Sequence, residues 1–142
     1  MKLLDVNILV SAYRSDHANY PITAPWLKAL LESNEPFGMP KVVQWSFLRI
    51  TTHPRIYSIP TPPDKAMEFI NILGSEPGHI AMEAGPFHME HLTRLCQESD
   101  VSGDLFPDAI LAAIAVEHGA EVISFDRDFA RFPGVRWSKP TI

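Results

Sequence analysis

With Cys96 as the only cysteine, the chain cannot form an internal disulfide. The place of Cys96 in an apolar-periodic stretch marks a reduced core thiol. No Ser-His-Asp or Cys-His arrangement offers an activated nucleophile. No apolar run approaches the roughly 20 residues that span a bilayer. The N-terminus shows no charged-then-apolar leader with a small-residue cleavage site, so the expected location is the cytoplasm, with no membrane partner. Repeats, low-complexity tracts and long linkers are also missing, and residues 1–142 read as one domain, able to bury roughly two-thirds of its unfolded surface. Nor is there an excess of positive charge: 12 Lys and Arg against 17 Asp and Glu leave −5. That excludes a protein that coats nucleic acid by bulk charge. A nuclease stays open, because a local nest of carboxylates holding metal lowers the net charge while arginines elsewhere hold the backbone.

What is present is an ordinary globular composition, 46% apolar and 20% charged, punctuated by 13 prolines. Lys2 to Val6 reads as a short buried strand and Asn7 to Tyr13 as the start of a helix. Ala24 to Leu31 has helical spacing, with Pro25 suited to a first turn. Lys41 to Thr52 forms an apolar-rich helical window after Pro40, with Gln44 and Arg49 in its polar remainder. Further helices are expected over Lys65 to Leu73 and Phe87 to Cys96, with a short strand at Ile80 to Met82 between them. From Asp104 to His118 apolar residues recur at helical spacing up to a stop at Gly119, and Glu121 to Phe125 follows as a strand. Helices alternating with short apolar strands predict an α/β fold: a central, mostly parallel sheet with helices on both faces.

In open parallel sheets, ligands bind beyond the carboxyl ends of the strands. Asp5 stands near the end of the first strand and Asp126 just past the late one. Asp108 lies in the first turns of the helix between them. Three acids distant in sequence thereby converge. Like charges at close range raise each other's pKa or demand a counterion, and a hard, oxygen-seeking cation such as Mg2+ or Mn2+ meets that demand. Such a centre polarises a phosphate and activates a bound water for in-line attack.

The stretches "LLDVNILVSAY", "SFLRITTHPRIY" and "DAILAAIAVEHGAEVISFDRDFARFPGVRW" together resemble the PIN-domain ribonucleases of VapC type, the toxins of toxin–antitoxin pairs, over nearly the whole chain. The resemblance implies a PIN-like three-layer fold and a Mg2+- or Mn2+-dependent endoribonuclease leaving 3′-hydroxyl and 5′-phosphate ends. It also implies a cognate antitoxin partner and a homodimer. Carried over by position, Asp5 is the first metal carboxylate, with Asn7 organising it. Asp108 is the helix acid, Asp126 the acid after the late strand and Asp128 an auxiliary ligand. The family's second acid, a glutamate shortly before F-L-R, is replaced by Gln44 or, in a shifted alignment, by Ser46. The expected catalytic set is thus Asp5, Gln44, Asp108 and Asp126. Metal would sit on Asp5, Asp108, Asp126 and Asp128, with Asn7 and Arg49 in support. An amide offers one neutral oxygen and cannot act as a general base, so a catalytically weakened binding protein that keeps its antitoxin groove is the alternative. A haloacid-dehalogenase-type phosphatase is disfavoured, since its nucleophile motif needs D-x-D where this chain has Asp5-Val6-Asn7.

Plainer roles compete at several positions. Asn7 caps the first helix, organises the site, or does both. Asp108 is also a first-turn acid favoured by the helix dipole. Asp104 is expected as a helix cap rather than a metal contact, Asp128 as a ligand or a cap at Phe129, and Ser124 as a small strand-end residue or one that approaches the site. His88 and His91, at i and i+3, are expected on the surface, because no third ligand accompanies them. Arg49, Arg127 and Arg131 are candidate phosphate contacts. The groups around Trp26 and Trp45 are expected mostly in the core, with part of them forming the antitoxin groove and dimer surface.

Overall fold

A computed structural model describes residues 1–141. Four short strands, β1 (Lys2–Leu4), β2 (Phe37–Gly38), β3 (Glu121–Ile123) and β4 (Trp137–Ser138), form one sheet in the order β2-β1-β3-β4, every neighbouring pair parallel. Six helices surround it: α1 (Val6–Tyr13), α2 (Tyr20–Ser33), α3 (Lys41–Thr51), α4 (Pro63–Gly74), α5 (His88–Ser99) and α6 (Phe106–His118). Helices α1 to α4 pack on one another, and α5 packs on α6. The sheet and the two helical groups give the three-layer α/β fold. Among the described residues no helix is long and apolar enough to cross a membrane.

The central pair β1 and β3 is fully buried at Leu3, Leu4, Val122 and Ile123, as expected for strands covered on both faces. From β1 the chain crosses to β2 on one side, and from β2 it returns to β3 on the other. The strand order therefore reverses between β1 and β3, the place where such sheets open a crevice at their carboxyl edge. Gly119, at φ 67°, stops α6 in the left-handed conformation that glycine tolerates. Ala120 alone then separates it from β3.

Several expected boundaries move for local reasons. Strand β1 ends at Leu4 because Asp5 caps α1, its Oδ1 accepting from the Val6 N–H at 2.7 Å; Asn7 is not the cap. Helix α2 begins four residues before Ala24, with Pro21 in its first turn, and Pro25 lies inside it. Ile80 to Met82 is not a strand. Only a bridge between Phe37 and His79 forms there, and a Cβ on Gly38 would collide with Met82 beside it. Strand β3 ends at Ile123, two residues early, where the chain turns towards the site. Asp104 sits exposed in a 3-10 turn, Gly103–Leu105, and α6 starts after it without a side-chain cap. The cap expected of Asp128 belongs to Asp126, whose carboxylate accepts from the Asp128 N–H at 2.9 Å.

The core is built on Phe37, Phe47 and Phe129 with the aliphatic residues of β1, β3 and α1. Trp26 and Leu48 only border it, and Trp45 lies outside it, 63% exposed. His88 is the opposite surprise, buried with no partner for its Nδ1.

Candidate metal centre

Because β1 and β3 are neighbours in register, Leu4 beside Ile123, the residues that follow them emerge side by side. Asp5 follows β1, and its N–H donates to the Ile123 carbonyl at 3.1 Å. Ser124 and Asp126 follow β3. The Ser124 hydroxyl donates to Asp5 Oδ2 at 2.7 Å. It accepts from Asn7 Nδ2 at 2.9 Å and from the Asp126 N–H at 3.0 Å. Asn7 completes the link, donating to Asp5 Oδ2 at 3.3 Å and accepting from the Phe125 N–H at 3.2 Å. Asn7 is thus an organiser of the two strand ends, and Ser124 is the joint between them.

Above this joint opens a pocket of about 350 Å3. Asp5, Asp108 and Asp126 line it from three different elements, with Val42, Val43 and Ser46 of α3 forming one wall. Asp108, Asp126 and Asp128 each place a carboxylate oxygen within 4.8 Å of the others. Asp128 stands outside the pocket lining and Asp5 outside this triad, so Asp108 and Asp126 are the members common to both. Gln44 is not in the pocket. Its amide Nε2 donates to the Met39 carbonyl at 2.7 Å, and the polar α3 residue in the pocket lining is Ser46. Arg49 lies further along α3, exposed and outside the pocket lining. Arg127 is exposed, and Arg131 pairs with Asp128 at 3.7 Å.

The electrostatics are those of carboxylates short of a counterion. Burial, the Asp126 charge and a hydrogen bond with Asp126 push the Asp108 carboxyl from 3.8 up to about 7, with smaller pushes from the Asp5 and Asp128 charges. Burial also raises Asp5, against the pull of its hydrogen bonds from Ser124 and Val6. Three oxygen donors at this spacing, with no nitrogen or sulfur among them, fit a hard cation such as Mg2+ or Mn2+ and suit zinc poorly.

A pH dependence follows. Between about 3.8 and 7 the folded metal-free protein holds a proton on Asp108 that the unfolded chain has lost. The stabilisation from that proton is complete at low pH and is lost as pH rises through about 7. A cation needs the carboxylate free, so its affinity climbs with pH and levels off above that point. Melting curves of the protein and its Asp108→Asn variant at pH 5 and 8 check this. The parent is expected to lose more stability than the variant on going to pH 8, and Mn2+ to restore it there but not at pH 5. Equal pH responses of the two proteins would refute it.

The geometry agrees with the family comparison: a model of the PIN domain matches residues 2–135. The chain belongs to the PIN-domain family. This PIN domain is similar along its whole length to Ribonuclease VapC25 of Mycobacterium tuberculosis, 49% identical over 142 residues and covering 100% of both chains. It is 47% identical to Ribonuclease VapC31 of the same species, again over 142 residues and 100% of both. Its fold is similar to the crystal structure of VapBC2 from Rickettsia felis bound to a DNA fragment from its promoter, with a TM-score of 0.72 and 15% identity over 98% of each chain. Relatives at this identity place it among the PIN domains of VapC type.

Motif and strand order point to the acids that line this pocket, Asp5, Asp108 and Asp126, but not to its walls. The apolar sides given by Val42, Val43, Ile110 and Leu111 carry no motif, and helical periodicity alone assigns such residues to the core. Ser124 reads as a small strand-end residue that could approach the site, and its hydrogen-bonding role emerges only when its partners are placed.

Proposed function

We propose that this PIN domain is a Mg2+- or Mn2+-dependent endoribonuclease that hydrolyses RNA phosphodiester bonds in the cytoplasm and is neutralised by a cognate antitoxin. The observation that carries the reading is the meeting of Asp108, Asp126 and Asp128 within 4.8 Å of one another, in contact with the pocket that Asp5 enters from the neighbouring strand end. The ribonuclease names of the VapC25 and VapC31 relatives support it. The toxin–antitoxin pairing comes from the VapC class and the VapBC2 fold neighbour, and a homodimer is part of the proposal.

Asp108 and Asp126 would hold the cation, with Asp128 and Asp5 as further oxygen donors. When bound, the ion supplies Lewis acidity towards a phosphate and lowers the pKa of a water. The protein's own contribution is arrangement. Asp5 is fixed by Val6, Asn7 and Ser124, and so keeps its place as charge changes. Asp108, pushed up to about 7 while no ion is bound, would give up its proton as the cation enters. The aliphatic walls exclude bulk water and strengthen each interaction inside.

The test is incubation of single-stranded RNA with the purified protein. Cleavage with Mn2+ to 5′-phosphate ends, and none with EDTA, is the expected result. Cleavage that persists in EDTA would end the metal-dependent reading. The second reading, a binding protein with weakened catalysis, draws support from α3, which turns Ser46 rather than an acid into the pocket; antitoxin binding without any RNA cleavage would favour it.

A further inference from the structure

Residues 36–63 contain no acidic side chain, although the whole chain carries −5; the stretch lies between Glu35 and Asp64, and its cations are Lys41, Arg49 and Arg55. Among the described residues, none of these three side chains joins an ion pair. Helix α3 runs through the middle of this stretch. Its buried side is Val43, Phe47 and Thr51, and its exposed side is Lys41, Val42, Trp45 and Arg49. Residues three and four apart share a helix face, so the exposed four make one stripe, about 12 Å long at 1.5 Å per residue.

The stripe begins at the metal pocket. Val42 is both 44% exposed and part of the pocket wall, and Ser46, the neighbour of Trp45, is another part of that wall. Trp45 holds a large aromatic surface in water at 63% exposure, where it adds little to the fold. A flat aromatic face between cations, continuous with a phosphodiester-cutting pocket, is the construction that binds single-stranded nucleic acid: bases stack on the ring and cations take the backbone. A second copy of the chain fits less well. A two-fold contact through the middle of the stripe would set Lys41 and Arg49 of one copy against those of the other.

We infer that the outer face of α3 is a track for single-stranded RNA, on which Trp45 stacks a base beside the scissile phosphate and Arg49 holds the backbone beyond it. This rests on the ribonuclease reading and adds to it a residue that binds substrate outside the acid cluster.

The experiment is steady-state cleavage of a fluorescein-labelled, mixed-sequence RNA 12-mer with Mn2+, for the parent, Trp45→Ala, Trp45→Phe and Arg49→Gln. Base stacking on an aromatic side chain implies a loss of about tenfold or more in kcat/KM for Trp45→Ala. Trp45→Phe keeps a stacking face and is expected within about threefold of the parent. Arg49→Gln should weaken cleavage and reduce the salt dependence by about one phosphate contact, a slope change of roughly 0.7. Melting temperatures report folding, and sedimentation reports self-association. If Trp45→Ala cleaves like the parent, the track is wrong and the ribonuclease reading stands. If Trp45→Ala loses self-association in parallel with activity, the stripe is a subunit contact and the inference fails. If the parent itself cleaves no RNA with Mn2+, both readings fall together.

Discussion

An Asp126→Asn protein is expected to lose RNA cleavage by about a thousandfold or more, while its metal-free form melts a few degrees above the parent at pH 8. Active-site groups crowded together for function are held at a cost in stability, and the repelling carboxylates make that trade here. Asparagine keeps the Oδ1 that accepts from the Asp128 N–H, and the backbone bond from the Asp126 N–H to Ser124 is untouched. What disappears is one negative charge beside Asp108 and near Asp5. Loss of a supporting group around a metal costs about 10–100-fold, and a direct ligand costs more. Without metal, the same charge only repels its neighbours. Removing it relieves something on the order of 1 kcal/mol, which in a domain of this size shifts Tm by about 2–4 °C. Cleavage assays with Mn2+ and melting curves in EDTA provide the two readouts. Activity within tenfold of the parent would show that the ion is held elsewhere. A lowered melting temperature would show that Asp126 serves the fold.

Restoring an acid on α3 is the second large effect, and the position decides the outcome. Ser46→Glu puts a carboxylate into the pocket wall, so Mn2+ affinity is expected to rise about tenfold or more, a gain of roughly 1.4 kcal/mol per factor of ten. The metal-free protein should then melt lower at pH 8, because another like charge joins the cluster. Gln44→Glu is expected to raise affinity by less than about twofold. Its side chain is engaged at 2.7 Å with the Met39 carbonyl, and a carboxylate cannot donate that bond. The loss is about 1 kcal/mol, offset in part by the favourable placement of an acid in the first turns of a helix. Calorimetric titration of Mn2+ into the three proteins checks the contrast. A larger gain for Gln44→Glu than for Ser46→Glu would mean that α3 presents a different face to the acids.

That contrast shows where sequence reading stopped. Residues 44 and 46 are two apart on a helix, about 200° around its axis, so a small shift in alignment moves an assignment to the opposite face. No periodicity corrects it, since Gln44 and Ser46 are both polar. The block from α6 through Gly119 to Asp126 was legible for the contrary reason: alanine spacing, a glycine stop and a short apolar strand agree with one another. The acids Asp5, Asp108 and Asp126 were placed together by sheet topology, which needs only the order of strands and helices. Strands β2 and β4, two residues each, are too short to show alternation and exist only because β1 and β3 offer them edges. Whether Trp45 belongs to the core or to a partner surface was not legible, because an apolar residue in an apolar helix carries no mark of which way it points.

The Ser124 hydroxyl sets a direction for hydrogen atoms at the bottom of the pocket. Both its acceptor positions are taken, by Asn7 Nδ2 and by the Asp126 N–H, so its single hydrogen must aim at Asp5 Oδ2. Asp5 receives that hydrogen as well as those of Val6 and Asn7, so three of the roughly four acceptor positions of its carboxylate are filled. Asp108 is the acid of the pocket whose carboxyl is pushed up to about 7, so it is the one that holds a proton near neutrality while no ion is bound. The floor stays wired in one orientation while the rim carries the traffic.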